Sequence, residues 1–595
     1  MKKICCLYVL LLITIVSCSK NSTGNDIVKD CSSVDASDII PDTNIQEDLT
    51  SSDTDAAAQD TRIYTISRIL PGPDETGYNP GLADKALEFD RGFWALHASV
   101  CGLDCEAFIS ADDTAGKTLI KNFITESKSW DFAADTGKQL SDVLTGWTSI
   151  PGLYAGMGIG ADAFKYALLR DGDAAKKDVD RARQHLLSDL DIMHIAFEIT
   201  GVRGVVARGL AKKGLPGDAG NINPLPLFDK NGNPLPEKKD NGTWRADNSG
   251  KYPDYYWVDS ISRDYLMGWA FAVGTVSEVI RDDPTIPDTV KIRLAKDASD
   301  VVWSLRQVRK SGYDLEIMDA DGRTTLNGYL NEHSFDQGMY LPKVNNGFYA
   351  LMSLGIVGAF TYASQDPDNR EYLYDELIKK RHLPQLVRNN SSVFIDMGRK
   401  TSFSAYNMAF TSAFMAIRYI NDPEVRNTLR ESLKDCIYNI PGHKHQPIEQ
   451  HQAWYDIVYA AAQSGDNAFS GPDAPADPLA VKKVIQALND FPTTPDWDEP
   501  RENCDQDEIT SKNCTLNDGT QVKVLGNVGR NNDLICEQVI PVAVRVPSNF
   551  HWRSNPYIPN GGGNGSVLLA GVDFRVAYWT ARYVSEKIVV TNNAK

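Results

Sequence analysis

The feature that most constrains this chain is a two-helix unit that keeps returning. A helix apolar on every side is followed by a tight junction and then by an amphipathic, charged helix. A helix apolar all round must be enclosed by protein, whereas one with a single apolar stripe lies half in water. Residues 265–280 are the first clear apolar member, with Leu266, Trp269, Phe271, Val273 and Val276 spread over all its faces. Asp283-Pro284 follows, then a stripe of Val290, Leu294, Val301, Leu305 and Val308, closed by Gly312 as a C′ glycine. The unit recurs as 348–362 with 369–380 after Asp366-Pro367, and as 405–420 with 424–437 after Asp422-Pro423. It recurs again as 454–462 with 479–488 after Asp477-Pro478. Upstream, 161–169 and 174–199 pair across Asp171-Gly172-Asp173. Asp at such a junction caps the free N–H groups of the next helix, and Pro fits its first position with no N–H to lose.

A helix at 82–100 and a last helix at 567–583 complete the set, the second closing against the first. Six hairpins with apolar inner and half-wet outer helices predict a mainly α fold, an (α/α)6 toroid over residues 61–595. A solenoid of helix pairs would keep a tighter fixed period than these connections show. Strands are few. Two are expected, at 522–524 and 539–546, inside an irregular cysteine-bearing insertion at 499–560.

The N-terminus reads as a targeting segment. Met1-Lys2-Lys3 is positive and 4–16 is almost wholly apolar, too short to span a bilayer but the length of a signal-peptide core. Ser17-Cys18 resembles the lipobox of bacterial lipoproteins, so residues 1–17 are expected to be removed and Cys18 to carry lipid. Ser19 after it points to the outer membrane of a Gram-negative bacterium, with lipid the only membrane anchor. Residues 18–60, rich in Ser, Thr, Asp and Asn, read as an acidic disordered tether. No later stretch reads as transmembrane. The net charge of −18 argues against a nucleic-acid partner, which needs a basic face, and mildly against a polyanionic substrate unless a local basic cleft overrides it.

Of the ten cysteines, seven remain beyond Cys18: Cys31, Cys101, Cys105, Cys436, Cys504, Cys514 and Cys536. Outside the cytoplasm they can form disulfides, but their pairing is not readable from spacing. No CxxC pair suggests zinc, and Asp319-Ala320-Asp321-Gly322 lacks the full calcium-loop pattern and reads as a turn. No metal and no cofactor is expected.

In a toroid the segments leading into the inner helices gather on one face, and here they are long, polar and aromatic. They hold Tyr255-Tyr256-Trp257, Ser260 and Asp264; then Glu332-His333, Asp336 and Asn346; then Arg399, Tyr406 and Asn407. Further on come His443, His445, Gln450 and His451, and finally His551-Trp552-Arg553. Five of the nine histidines fall in these segments, and long loops on one face of a rigid scaffold are the usual place for a site. Each residue also has a structural reading. Asp264 can simply cap its helix, His451 and Tyr455 can form one buried helix face, and Arg203 and Arg208 can make interloop salt bridges.

The 200–208 segment, Ser262-Arg263-Asp264, the turn from Asp319 to Thr325, the 550–557 stretch and Gly571-Val572-Asp573 give the chain a resemblance. It resembles secreted bacterial proteins of the six-hairpin glycosidase-like kind. The resemblance implies the toroidal fold and carries over no catalytic assignment.

The reading that follows is a surface lipoprotein acting on a glycan, by glycoside hydrolysis in a cleft at the N-terminal ends of the inner helices. Hydrolysis needs two carboxylates, with Asp264 the first candidate and Glu332 or Asp336 its partner. A polysaccharide lyase is the alternative, with Tyr406 or His451 as base and Arg553 or Asn407 neutralising a uronate. Trp257, Asn346, His551 and Trp552 complete the expected substrate contacts. A non-catalytic glycan- or peptide-binding lipoprotein is the third reading.

Overall fold

The computed structural model describes residues 63–172, 174–236, 242–336, 338–443, 446–463, 478–548 and 555–590. The signal segment, Cys18, the tether, His445, Asp477, His551, Trp552 and Arg553 lie outside the described residues.

The described chain is mainly helical and builds a helical toroid. The helices are α1 (Pro80–Gly92), α2 (Gly152–Asp171), α3 (Lys176–Glu198), α4 (Arg263–Ile280), α5 (Asp288–Leu305) and α6 (Gly347–Ser364). They continue as α7 (Leu383–Ile395), α8 (Phe403–Tyr419), α9 (Pro423–Ser432), α10 (Ala453–Gln463), α11 (Pro478–Asp490) and α12 (Val572–Tyr583). α2, α4, α6, α8, α10 and α12 touch in that order, and α12 returns to α2, closing an inner ring. Each inner helix has an outer partner, α3, α5, α7, α9, α11 and, for α12, α1. The chain's first and last helices therefore form the sixth hairpin, as the sequence predicted.

The inner helices run parallel. Trp454 and Tyr455 at the start of α10 bond Thr411 and Asn407 of α8, starts against starts. At the other end, Glu278 of α4 accepts Arg418 Nε at 2.9 Å and the Tyr583 hydroxyl at 3.0 Å, ends against ends. The closest pair is α2 with α4, and its cause lies in sequence. Gly152, Gly156 and Gly160 recur every four residues on α2, and a Cβ at Gly156 would lie 2.1 Å from the Gly268 carbonyl. The ring interior is filled by Phe271, Phe414 and Trp454, with centroids 5.5–5.6 Å apart.

α6 is apolar enough, by length and composition, to cross a membrane, contrary to the reading that no later stretch was. It is 89% buried within the protein, because an apolar-all-round helix fits the centre of a toroid equally well.

The junctions divide. Asp366 and Asp422 cap the helical segments that follow them, accepting from Asp368 N and from Glu424 N and Val425 N, with Pro at the first helical position. Asp283 is no cap. α5 starts only at Asp288, and buried Asp283 accepts the Tyr166 hydroxyl at 2.6 Å and Arg170 NH1 at 3.0 Å, holding the end of α2. Val308 likewise lies beyond α5 and is exposed, and Gly312 serves a later turn.

Small sheets form where the chain enters the inner helices. β1 (Ile150–Pro151), β2 (Gly209–Lys212), β3 (Trp244–Ala246) and β4 (Tyr255–Val258) pair in the order β1-β2-β4-β3 ahead of α2 and α4. β5 (Glu316–Met318) with β6 (Thr324–Tyr329), and β7 (Ser334–Asp336) with β8 (Met339–Tyr340), lead into α6.

The insertion before α12 has its own small core around the Cys504–Cys514 disulfide and a sheet of β9 (Asn513–Thr515), β10 (Gln521–Asn527) and β11 (Leu534–Cys536). The strand expected at 522–524 is β10. The one expected at 539–546 is instead a loop with a short 3-10 turn at Val542–Val544. Cys101 pairs with Cys105, while Cys436 and Cys536 are buried thiols.

Candidate functional site

Parallel inner helices place all their N-terminal ends on one face. Two hollows open there among the described residues.

The first, about 620 Å³, lies between the segments entering α8 and α10 and is lined by Asp396, Arg399, His443, Glu449 and Glu537. Asp396 follows the last residue of α7 and is its hub. Its Oδ1 accepts the Gly398 N–H at 2.7 Å and the Thr401 hydroxyl at 2.9 Å, and its Oδ2 faces His443 Nδ1 at 2.5 Å. The Tyr406 hydroxyl also bonds this carboxylate. The carboxylate fixes Nδ1 as the protonated nitrogen of His443 and leaves Nε2 as an acceptor without a partner among the described residues. Asp396 has a side chain 4% exposed and His443 one 35% exposed, so the imidazole, not the carboxylate, meets solvent. Gly398 and Gly442, both with positive φ, make the tight turns that bring these two segments together.

Tyr406 itself is fully buried on α8, and burial together with the Asp396 charge holds its phenol well above the usual range. It stays protonated at neutral pH and serves as a donor, not as a proton acceptor. Asn407 is buried beside it, its Nδ2 donating to the Phe403 carbonyl at 3.2 Å and its Oδ1 accepting the Tyr455 hydroxyl at 2.8 Å. His451 does not share a helix face with Tyr455. It precedes α10, is exposed and adopts positive φ (47°), while Tyr455 is buried and stacked on Phe410 at 4.2 Å.

The second hollow, about 550 Å³, lies at the start of α2 and α4 and is lined by Arg208, Asp218, Asn223, Trp244 and Tyr265 among others. Asp264, in the first turn of α4, is half-buried and has no hydrogen bond or ion pair among the described residues. Ser262 holds the N-cap position with no side-chain cap bond, so Asp264 is not occupied as a cap either.

Several expected site residues are held structurally instead. Glu332 accepts Arg381 Nε at 2.9 Å, and Arg381 NH1 also donates to Asp314 at 2.9 and 3.0 Å, so Glu332 of the β6–β7 segment and Asp314 just before β5 are both consumed in holding the helical link between α6 and α7. Asn346 is the N-cap of α6, accepting the Tyr349 N–H at 3.1 Å. Trp257 is fully buried, its Nε1 donating to the Ala246 carbonyl at 2.8 Å, and presents no face to a sugar. Asp336 ends β7, and its side chain lies outside the described residues.

Sequence reasoning missed Asp396 and Glu449, for which no motif exists, and Arg381. It also gave Arg203 and Arg208 the same reading, an interloop salt bridge, which holds for only one of them. Arg203 pairs with Asp300 at 2.6 Å as expected, but Arg208 makes no ion pair among the described residues.

The Asp319–Asp321 turn joins Asp259 in a buried trio of carboxylates whose oxygens lie within 4.8 Å of one another, a spacing that can hold a metal ion. Its members are already engaged, Asp259 by Arg245 at 2.6 Å, Asp321 by Arg323 at 2.7 Å and Asp319 by the Ser260 N–H at 2.9 Å.

No family model and no curated protein matches the chain. Two solved structures of endoglucanase CelQ from Clostridium thermocellum match it, one complexed with cellotetraose and one with cellobiose and cellotriose. Each covers 86% of this chain and 72% of its own, at 13% sequence identity and a TM-score of 0.35. A likeness at that level assigns neither fold nor function.

Proposed function

We propose that this chain cleaves a glycan by hydrolysis on the N-terminal face of the toroid, as an envelope protein held by lipid on Cys18. The observation that carries the reading is the Asp396–His443 pair opening onto a hollow that Glu449 also lines. An imidazole oriented by a buried carboxylate is suited to take a proton from water, and the Glu449 carboxyl group lining the same hollow would, in its acid form, give a proton to the leaving oxygen. A hollow of this size falls in the range that encloses a small ligand, about 300–1,000 Å³. Asp264, unpartnered at the start of α4, is the other carboxylate available on this face.

A second reading has its own observation. The same free Nε2 can remove a proton beside a uronate carboxylate, with Arg399 neutralising it, which would make the protein a lyase. His443 then replaces Tyr406 and His451 as the base.

The test is a depolymerisation screen with the purified chain, reading reducing ends and the unsaturated-uronate absorbance, run beside His443→Gln and Asp396→Asn. Removing a general base or its orienting carboxylate should lower the rate about 10²–10⁴-fold. Reducing ends without absorbance mean hydrolysis, and both signals mean elimination. Full activity in both variants would remove His443 and Asp396 from the reaction.

A further inference from the structure

We infer that the glycan bound on this face carries an anionic group, a carboxylate or a sulfate on the sugar, and that Arg208 receives it in the 550 Å³ hollow at the start of α2 and α4. The inference rests on the reading of this face as a glycan site and names the class of sugar.

The first argument is a guanidinium with open donors. Arg208 makes no ion pair among the described residues. Its NH1 donates to the Ser262 hydroxyl at 2.8 Å and to the Ser260 carbonyl at 3.4 Å, and its plane lies 4.0 Å over the Tyr265 ring. Its Nε and NH2 have no acceptor among the described residues. Those donors form part of the fork that accepts a carboxylate or sulfate on two oxygens, and the Tyr265 ring holds the fork in place.

The second argument is position. Arg208 is seated on the first turn of an 18-residue helix, where the unpaired N–H groups already place positive charge. A cation there is disfavoured, and an anion bound beside it reverses that cost.

The third is the lining. Trp244 lines the hollow as a ring for a sugar face, and Asn221 and Asn223 offer amides. The acid in this hollow, Asp218, already accepts the Ser149 N–H at 2.9 Å.

A second guanidinium stands on the same helix turn. Arg263 lies 4.7 Å over Tyr349, and its Nε and NH1 are shielded from solvent with no acceptor among the described residues. Arg208 and Arg263 thus both stand at the start of α4.

The test is a set of equilibrium titrations of the full chain at constant ionic strength with three probes: glucuronate, glucose 6-sulfate and glucose. The expected result is saturable binding of at least one charged sugar, about tenfold or more tighter than glucose. Binding of glucuronate alone identifies a uronate, and binding of the sulfate alone identifies a sulfated sugar. Arg208→Met should abolish the preference, and Arg208→Lys should keep part of it, because the charge survives and the fork does not. A purely structural Arg208 would lower Tm and leave the preference among the sugars unchanged. If Arg208→Met does not fold, Arg208→Lys and Arg263→Met carry the comparison. The inference is overturned if no charged sugar binds, if glucose binds as well as either, or if Arg208→Met keeps the preference. Cleavage is read separately. A chain that binds glucuronate and cuts nothing upholds this inference against hydrolysis, and one that cuts a neutral glycan while ignoring both charged probes does the reverse.

Discussion

Replacing Arg575 by Met should reveal how the toroid closes. Arg575 sits in the first turn of α12 with no exposure, and the carboxylates it meets come from α1 and α2, more than 400 residues earlier in the chain. Its Nε donates to Asp90 of α1 at 2.8 Å, and its NH2 donates to both oxygens of Asp162 on α2 at 2.8 and 2.9 Å. Lys165 reaches the second oxygen of Asp90 at 2.8 Å. Burial alone would raise the Asp90 pKa, yet Lys165 and Arg575 hold it below the ordinary range, so Asp90 is ionised and depends on both cations. Met fills the volume of the Arg stem but supplies no charge, and Asp162 loses its guanidinium. Breaking a buried pair from one side costs about 3–5 kcal/mol. Unfolding entropy near 2.1 cal/mol/K per residue, over about 500 residues, is about 1 kcal/mol/K, so the expected fall in Tm is about 3–5 °C. Calorimetry on the purified variant measures it. Adding Asp162→Asn should recover part of the loss, because the uncompensated charge is the cause. An unchanged Tm for Arg575→Met, or a double variant worse than the sum of the singles, would refute the reasoning.

Three further outcomes are expected. Gly156→Ala should destabilise by about 1–3 kcal/mol or more through overpacking, since its Cβ would meet the Gly268 carbonyl at 2.1 Å and neither backbone can yield; thermal melts beside the exposed helical control Gly81→Ala separate this from a general effect. His97 is buried with Nδ1 2.6 Å from the Cys105 carbonyl, and burial pulls its pKa from 6.5 to about 4. A depressed histidine pKa means that the unfolded chain binds the proton first, so this stability is present above pH ~6.5 and is lost as pH falls toward 4, about 3 kcal/mol in all. His97→Gln should flatten that part of the urea-stability profile, and an unaltered slope would exclude His97 as its source. Tyr406→Phe removes one of the four donors to Asp396 and should lower the rate by less than His443→Gln does, measured on whichever glycan the screen identifies.

The fold was legible because helical periodicity is local. The inner helices are read from runs such as Phe348 to Ala359, apolar on every side, and two of the Asp-Pro junctions cap as their chemistry requires. Asp283 shows the limit, because the same dipeptide became a buried tie once Tyr166 and Arg170 were at hand from a helix more than a hundred residues away. The site was much less legible, since its groups meet across the chain. Asp396 and His443 are 47 residues apart, as Glu332 and Arg381 are 49. Reading the lead-in segments for polar and aromatic residues found the right face but not the right residues on it. Glu332, Asn346 and Trp257 are conspicuous in sequence because they hold the loops in shape, and their hydrogen-bonding capacity is filled by doing so. Among the described residues on this face, Asp264, the Nε2 of His443 and the guanidiniums of Arg208 and Arg263 are left with unfilled capacity. In a fold whose buried polar groups are largely satisfied, such unfilled groups on one face are the places where a ligand completes the structure. No sequence pattern distinguishes them, because what sets them apart is the absence of a partner in space.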